Sequence, residues 1–146
     1  MPQELNNAEQ LRAWFCNCPA LAENSRFHVD YLPENPTDYS LFAVPSEIVY
    51  RENVLGEMIP RDIQTIDWIF ASKESYGPDV EQNLANLGFY DEITAWIIEQ
   101  NAQRNFPSMN EGKVRSIVPT LTAYPIEPGS DAARYQIQIK ITYRRN

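Results

Sequence analysis

The clearest pattern of hydrophobic and polar positions lies near the end of the chain, over residues 134–144. Every even position there is polar or charged, whereas the odd positions are all apolar: Tyr135, Ile137, Ile139, Ile141 and Tyr143. This period of two predicts a β-strand with one buried face. A helix would spread the same side chains around its circumference and would bury Gln138 and Lys140. We therefore expect other elements of the chain to cover the apolar face of this strand.

Shorter apolar alternations, bounded by turn residues, predict further strands at residues 27–32, 39–44, 63–72 and 113–123. Pro119 lies inside the last of these. It places part of that strand at a sheet edge or a bulge, because proline cannot donate to a strand ladder.

A hairpin arm is predicted between the second and third of these strands. Residues 48–51 and 58–59 flank a turn in which Gly56 supplies the backbone conformation that the turn needs. The arm is too short to pack alone, so its tip should reach out or touch a partner.

Two regions show helical spacing. Residues 8–16 bring one set of apolar side chains to a single side of a helix, namely Leu11, Trp14 and Phe15. Asp79 has the position of an N-cap for a second helix. Gly88 is expected to stop or kink this helix. The acidic residues 91 and 92 would then open a second part that ends near Arg104, because negative charge favours a helix N-terminus.

The order of these elements favours an α+β fold. We expect a mostly antiparallel β-sheet with helices packed on one face, plus the protruding hairpin arm. A chain of 146 residues suits a single domain over residues 1–146. The last two strands would be joined by an eight-residue connection at 124–131, which contains two prolines and one glycine. Like the arm, this connection is a natural extension for contacting a neighbour.

Composition narrows the function classes. The net charge of −8 argues against nucleic-acid binding through phosphate neutralisation, which needs clustered lysine and arginine. Hydrophobic residues make up 43% of the chain, as expected for a packed globule, yet no apolar run approaches the roughly 20 residues of a membrane span. The N-terminus lacks the pattern of a signal peptide, so we expect synthesis in a cytoplasm.

The sequence shows no catalytic constellation. His28 is the single histidine, and Cys16 and Cys18 cannot complete a tetrahedral zinc site without further ligands. The motifs of serine hydrolases, nucleotide-binding loops and zinc proteases are all missing from the sequence. Acidic pairs such as Glu34 and Asp38 occur where a loop would place them anyway. We therefore predict no enzymatic activity, no catalytic or metal-binding residue, and no cofactor.

Two stretches resemble a family of small proteins encoded among the head–tail genes of tailed bacteriophages of Gram-positive hosts. The first stretch runs over residues 70–84 and continues into 88–90 and 95–101, and the second covers residues 133–143. Members of this family are often labelled minor capsid proteins, and some carry a chloramphenicol-resistance label. The resemblance covers about half of the chain. It depends on the residues of the motifs and on the order of the motifs, not on catalytic residues.

The place of this family in the virion is similar to that of tail terminator, or tail completion, proteins. The resemblance implies a hexameric ring that caps the tail tube, stops its polymerisation and joins the tail to the head. The implied partners are further copies of the chain, the tail tube protein and a head–tail connector or stopper protein, with the tail sheath as another candidate. The implied location is the head–tail junction of the virion, after assembly in the host cytoplasm.

The ring hypothesis also suits the charge, because an acidic bore would let DNA pass without adhering. The candidate interface lies in the two predicted extensions: Arg51, Glu52, Asn53, Val54, Leu55, Glu57, Tyr124, Ile126 and Glu127. Three alternatives stay open. They are another neck protein of the same gene cluster, such as a head-completion or stopper protein, a small acetyltransferase-like enzyme, and a soluble adaptor that forms no ring.

Overall fold

The computed structural model describes residues 7–19, 21, 27–29, 39–75, 80–126 and 132–146. Two helices and seven strands lie within these ranges, and the fold is α+β with a mostly antiparallel sheet, as the sequence predicts. In chain order the elements are α1 (Asn7–Phe15), β1 (Phe27–Val29), β2 (Tyr39–Val44), β3 (Tyr50–Glu52), β4 (Met58–Pro60), β5 (Ile63–Ser75), α2 (Val80–Ala102), β6 (Gly112–Ile126) and β7 (Ala132–Arg145).

Five strands form the main sheet, in the order β1-β2-β5-β7-β6. The first pair is parallel and the other three pairs are antiparallel. β5 and β7 form the long centre of the sheet, paired from Ile63 opposite Arg144 to Ser75 opposite Ala132. β3 and β4 form a separate two-stranded sheet, which is the predicted hairpin arm. β1 ends at Val29, so residues 30–32 of the predicted first strand lie outside the described part of the chain.

The alternation in β7 is confirmed. Tyr135, Ile137, Ile139 and Ile141 are all buried, whereas the polar positions between them are half-buried or exposed. Neighbouring strands add apolar side chains to the same face, because directly paired residues point to the same side of a sheet. Trp68 is paired with Ile139, and Phe70 with Ile137. The core of the protein therefore lies on one side of the sheet.

Both helices cover that side. The predicted stripe of α1 is confirmed, since Leu11, Trp14 and Phe15 are buried. The Phe15 ring stacks on Phe70 of β5, with 5.3 Å between ring centroids, and Trp14 lies 4.5 Å from Trp96 of α2. Aromatic pairs of this kind contribute about 0.5 to 1.5 kcal/mol beyond the burial of their area. They therefore join both helices and the sheet into one apolar cluster.

A buried hydroxyl network ties α2 to the central strands. The hydroxyl groups of Tyr90 and Ser72 lie 2.6 Å apart, and the Tyr90 hydroxyl also donates to the backbone oxygen of Tyr135 at 2.9 Å. Further along the helix, Asn101 Oδ1 accepts a hydrogen bond of 3.1 Å from the backbone N–H of Ile117 in β6. These bonds satisfy polar groups that the helix–sheet contact would otherwise bury without partners.

The predicted break at Gly88 is wrong, because α2 is a single helix from Val80 to Ala102. Glycine inside a helix costs only about 1 kcal/mol relative to alanine. Asn86 before the glycine and Tyr90 after it are both buried, and Phe89 packs against the core, so tertiary contacts on both sides of the glycine outweigh that cost. The acidic residues 91 and 92 consequently lie in the middle of the helix and not in a first turn.

The end of α2 is closed by two backbone bonds around Arg104, which lies near the helix end as predicted. The N–H of Arg104 donates to the oxygen of Asn101, and the N–H of Asn105 donates to the oxygen of Gln100. In this arrangement, a residue just after the helix adopts a left-handed backbone conformation, and that residue is usually glycine. Arg104 adopts that conformation here with φ of 58°.

β6 is an edge strand and confirms the placement of Pro119 at an edge near a bulge. Its pairing with β7 shifts register between Val114 and Ser116, between Pro119 and Leu121, and again before Tyr124. The predicted connection at 124–131 is partly wrong, because β6 continues to Ile126. An edge strand leaves one side of its backbone unpaired, so it tolerates prolines such as Pro125 that a central strand would exclude.

Candidate interface

The tip of the arm is held by one side chain, Asn53. Its Oδ1 accepts hydrogen bonds of 2.9 Å from the backbone N–H groups of both Leu55 and Glu57. The backbone of Asn53 bonds twice more, donating to the oxygen of Glu57 and accepting from the N–H of Gly56, each at 3.0 Å. Gly56 has φ of 80°, as the prediction of its turn role requires. The tip therefore has a defined conformation without an apolar core of its own.

The base of the arm is fastened to the main sheet by Gln64 of β5, which is buried with only 4% of its surface exposed. Its Oε1 accepts from the N–H of Val49 at 2.9 Å. Its Nε2 donates to the backbone oxygens of Val49 and Arg61 at 2.8 and 2.9 Å. The N–H of Arg61 donates to the same oxygen of Val49. A single amide thus joins both strands of the arm to the sheet and fixes the direction in which the arm leaves it.

The arm and its base carry most of the large apolar side chains that are exposed among the described residues. Val54 is fully exposed at 102% and Leu55 is 78% exposed. Seven of the ten such residues lie between positions 48 and 63: Ile48, Val49, Tyr50, Val54, Leu55, Met58 and Ile63. Single exposed apolar residues are normal, but a concentration of them marks an interaction site. We call residues 48–63 the arm segment.

The structure divides the predicted interface in two. Six of the nine residues lie together on the arm, and of these Asn53 supports the tip internally, whereas the other five are exposed: Arg51, Glu52, Val54, Leu55 and Glu57. Tyr124 and Ile126 are instead part of β6, paired with Gln136 and Arg134 of β7. Glu127 lies outside the described residues. The second predicted extension is therefore not a loop over its first three residues.

A groove between the segment that follows α1 and the middle of α2 was not predicted. It has a volume of about 380 Å³ and is lined by Cys18, Pro19, Glu92, Ala95, Trp96 and Glu99. Ile98, which is 53% exposed, lies one helical turn from Ala95. A sequence signal did exist, because Ile97 and Ile98 are adjacent in a helix and point about 100° apart. In the structure, Ile97 is buried and Ile98 is the one that faces away from the core.

The described residues contain no group of three or more side chains of metal-ligating types. A cavity of about 610 Å³ lies between α1 and the segment after α2, and its lining is made of amide, apolar and hydroxyl groups. Cys16 is exposed, Cys18 is buried, and they form no disulfide. The side chain of His28 and the predicted acidic pair Glu34 and Asp38 lie outside the described part of the structure.

One titration shift stands out, at Tyr143 of β7, which is paired with Gln64 at the base of the arm. Burial raises the pKa of Tyr143 above its ordinary value of 10.0. The carboxylate of Glu111 raises this pKa further, because it repels the phenolate, and Arg145 partly opposes both effects. No described helix is long and apolar enough to cross a membrane. Among the described residues, the arm segment and the groove are therefore the two candidate contact surfaces.

A scan against protein-family models found no match to this chain, and no curated protein matches it either.

Proposed function

We propose that this chain is a structural subunit of a bacteriophage virion, namely a tail terminator. Copies of the chain close into a hexameric ring that caps the tail tube, stops its polymerisation and joins the tail to the head connector. Two kinds of support lead to this proposal. The sequence stretches at 70–84, 88–90, 95–101 and 133–143 resemble the phage family, and the α+β fold with helices on one face suits the implied architecture.

The observation that carries the proposal is the arm segment. Val54 and Leu55 are exposed on a hairpin whose conformation is fixed by Asn53 at the tip and Gln64 at the base. An interaction surface that is already ordered loses less conformational entropy when it binds, so it favours assembly. An exposed apolar tip on a rigid support is typical of a subunit that works by contacting other subunits.

Charge supports the position of such a ring around DNA. The chain has a net charge of −8, so a ring of identical copies is strongly acidic. Phosphate backbones bind where lysine and arginine cluster, and an acidic passage repels them. DNA can therefore move through the ring without being held. This role needs no catalytic residue and no cofactor.

The proposal is tested by the mass of the purified protein and by its effect on tube growth. Light scattering and electron microscopy should show a closed ring, and the ring added to polymerising tail tube protein should shorten the tubes and appear at their ends. Tube capping without binding to the connector still supports a terminator. A chain that stays monomeric and never caps tubes contradicts the proposal, and a ring that binds only the connector assigns the chain to another neck position.

The variant Leu55→Asp sharpens this test, because it places a charge on the exposed tip without changing the hydrogen bonds of Asn53. We expect capping or ring formation to be lost while the melting temperature stays the same. Leu84→Asp is the matched control, since Leu84 is also an exposed leucine, 62% accessible, but lies on α2. An equal loss in both variants would show that added charge, and not the arm, is responsible.

A further inference from the structure

Positive charge is concentrated in the last two strands of the sheet. β6 has 15 residues and β7 has 14, yet together they contain six of the 12 lysine and arginine residues of the chain. The same two strands contain no acidic residue, whereas the whole chain has 20 acidic residues and a net charge of −8. β6 and β7 therefore form a basic part of an acidic protein.

Three of these cations point to one side of the sheet. The polar positions of β7 alternate with the buried ones, so Lys140 and Arg144 point away from α1 and α2. Lys113 of β6 is paired with Arg144 and therefore points to the same side. All three side chains are exposed, and the half-buried Asp67 of β5, paired with Lys140, adds one carboxylate. We call Lys113, Lys140 and Arg144 the basic side.

The helical layer has the opposite charge. α1 and α2 together contain five acidic residues and one basic residue. Two of the acidic residues, Glu92 and Glu99, are exposed and line the groove beside α2. They are seven residues apart, which places them about two turns apart on one side of the helix. We call Glu92 and Glu99 the acidic side.

We propose that the basic side of one copy binds the acidic side of the next copy. This inference rests on the proposed function and names the contact that would build the ring. Lys140 and Arg144 are about 13 Å apart along their strand, and Glu92 and Glu99 are about 10 Å apart along their helix. The long side chains of lysine and arginine can span the difference, so each cation can face one carboxylate. Opposite charges arranged in this way orient two surfaces and fix their register.

The two sides are different and lie on opposite faces of the molecule, and this decides what assembly they build. When the basic side of one copy meets the acidic side of the next, a free basic side remains at one end and a free acidic side at the other. Addition of copies therefore continues until a rotation closes the ring. The inferred contact is of the head-to-tail kind that the proposed ring requires.

Nucleic acid is the other partner that a basic surface can bind, and the charge of the chain favours a second copy. The net charge of −8 repels phosphate, whereas every copy carries a complementary acidic side. In the ring, each basic side is covered by the next copy. The surface that stays free is then more acidic than the single chain, which agrees with the proposed passage of DNA.

The experiment reverses each surface separately and then combines the two variants. Lys140→Glu with Arg144→Glu makes the basic side acidic, and Glu92→Lys with Glu99→Lys makes the acidic side basic. Each double variant alone should have the mass of one chain in light scattering, because its two surfaces then carry like charges. An equal mixture should recover the mass of the unmodified ring, because opposite charges meet again at every contact of a ring in which the variants alternate.

A matched control separates this contact from a general effect of charge. Arg12→Glu with Arg104→Glu changes the net charge as much as Lys140→Glu with Arg144→Glu does. It changes two exposed positions outside the basic side, one on α1 and one after α2. The control should form rings like the unmodified chain. Circular dichroism and melting temperature establish that all the variants are folded.

The outcomes separate this inference from the proposed function. Rings that persist in either double variant overturn the inference and leave the terminator proposal intact, because the ring then closes through other surfaces. Folded variants that are monomeric alone and stay monomeric when mixed also overturn it. Duplex DNA binding by the unmodified chain that is lost in Lys140→Glu with Arg144→Glu would assign the basic side to nucleic acid instead. If the unmodified chain neither forms rings nor caps tubes, both proposals fail together.

Discussion

The core and the arm use the same kinds of residue in opposite ways. In the core, Phe70 lies among aromatic rings from both helices and from β2, at centroid distances of 5.3 to 6.0 Å, and none of its surface is exposed. On the arm, Val54 and Leu55 have water on nearly all sides. The core is thus held by apolar contacts and the arm by the amides of Asn53 and Gln64.

Under the proposed function, this difference assigns stability and assembly to separate parts of the chain. Changes in the core should alter the free energy of unfolding, whereas changes at the tip should alter contact with other molecules. Residues at the base of the arm belong to both categories, because they connect a stable sheet to a surface that needs a fixed direction. The following predictions test this separation, from the largest expected effect to the smallest.

Phe70→Ala should destabilise the fold by about 3 to 5 kcal/mol, because it removes a fully buried ring and leaves a cavity among the surrounding aromatic rings. Urea denaturation measures this loss. Val54→Ala is the control at the tip and should change the free energy of unfolding by less than about 0.5 kcal/mol. Similar losses in the two variants would contradict the division between core and arm.

Gln64→Leu should cost about 1 to 3 kcal/mol, because the N–H of Val49 and the oxygen of Arg61 lose the partner that the buried amide provides. Hydrogen exchange should accelerate at the base of the arm before it does in β7. Gln138→Leu is the matched control, since Gln138 is half-buried on the face of the sheet opposite α1 and α2. If hydrogen exchange at the base of the arm stays slow in Gln64→Leu, Gln64 does not hold the arm to the sheet.

Gly88→Ala should stabilise the protein by about 0.5 to 1 kcal/mol, because alanine favours a helix interior. A β-carbon at this position meets no atom within 4 Å, so no clash opposes the gain. Thermal unfolding measures the change, and ring formation should stay the same. Gly56→Ala offers the contrast, since φ of 80° at that turn strains any residue with a β-carbon. An unchanged or lower stability in Gly88→Ala would mean that α2 needs its glycine.

Tyr143 should make the fold less stable at alkaline pH. Its pKa is raised in the folded state, so the folded chain keeps the phenol proton that the unfolded chain releases at lower pH. The resulting stabilisation is complete below the pKa of the unfolded chain and is lost as pH rises through the higher folded pKa. Denaturation at about pH 9 to 11 measures this loss, which Tyr143→Phe should reduce. Equal pH profiles in the two proteins would contradict the assignment.

Much of the fold could be predicted because the sheet contains strong local signals. The alternation in β7 needs only the sequence, since a period of two has one structural explanation. Gly88 misled the prediction because the continuity of α2 depends on contacts that Tyr90 makes with Ser72 and Tyr135, which lie far away in the sequence. The end of β6 was missed for a similar reason, because only its position at the sheet edge makes Pro125 acceptable.

Of the two candidate contact surfaces, the arm could be predicted from the sequence and the groove could not. The arm could be recognised because a turn glycine between short apolar strands indicates a hairpin that cannot bury its own side chains. The groove could not, because it forms where Pro19 meets Ala95 and Trp96, more than seventy positions later in the chain. Sequence periodicity indicates which side of a helix is apolar, but it does not identify the element that lies beside it.

The irregular pairing of β6 has a consequence at any high local concentration of the chain, such as the proposed ring would create. A long outer strand is a template on which another chain can add its own strand and begin a fibril. Pro119 and Pro125 remove two backbone donors from β6, and its repeated register shifts bend the line of the remaining ones. Side-by-side joining of crowded copies into amyloid-like stacks is thereby made less favourable.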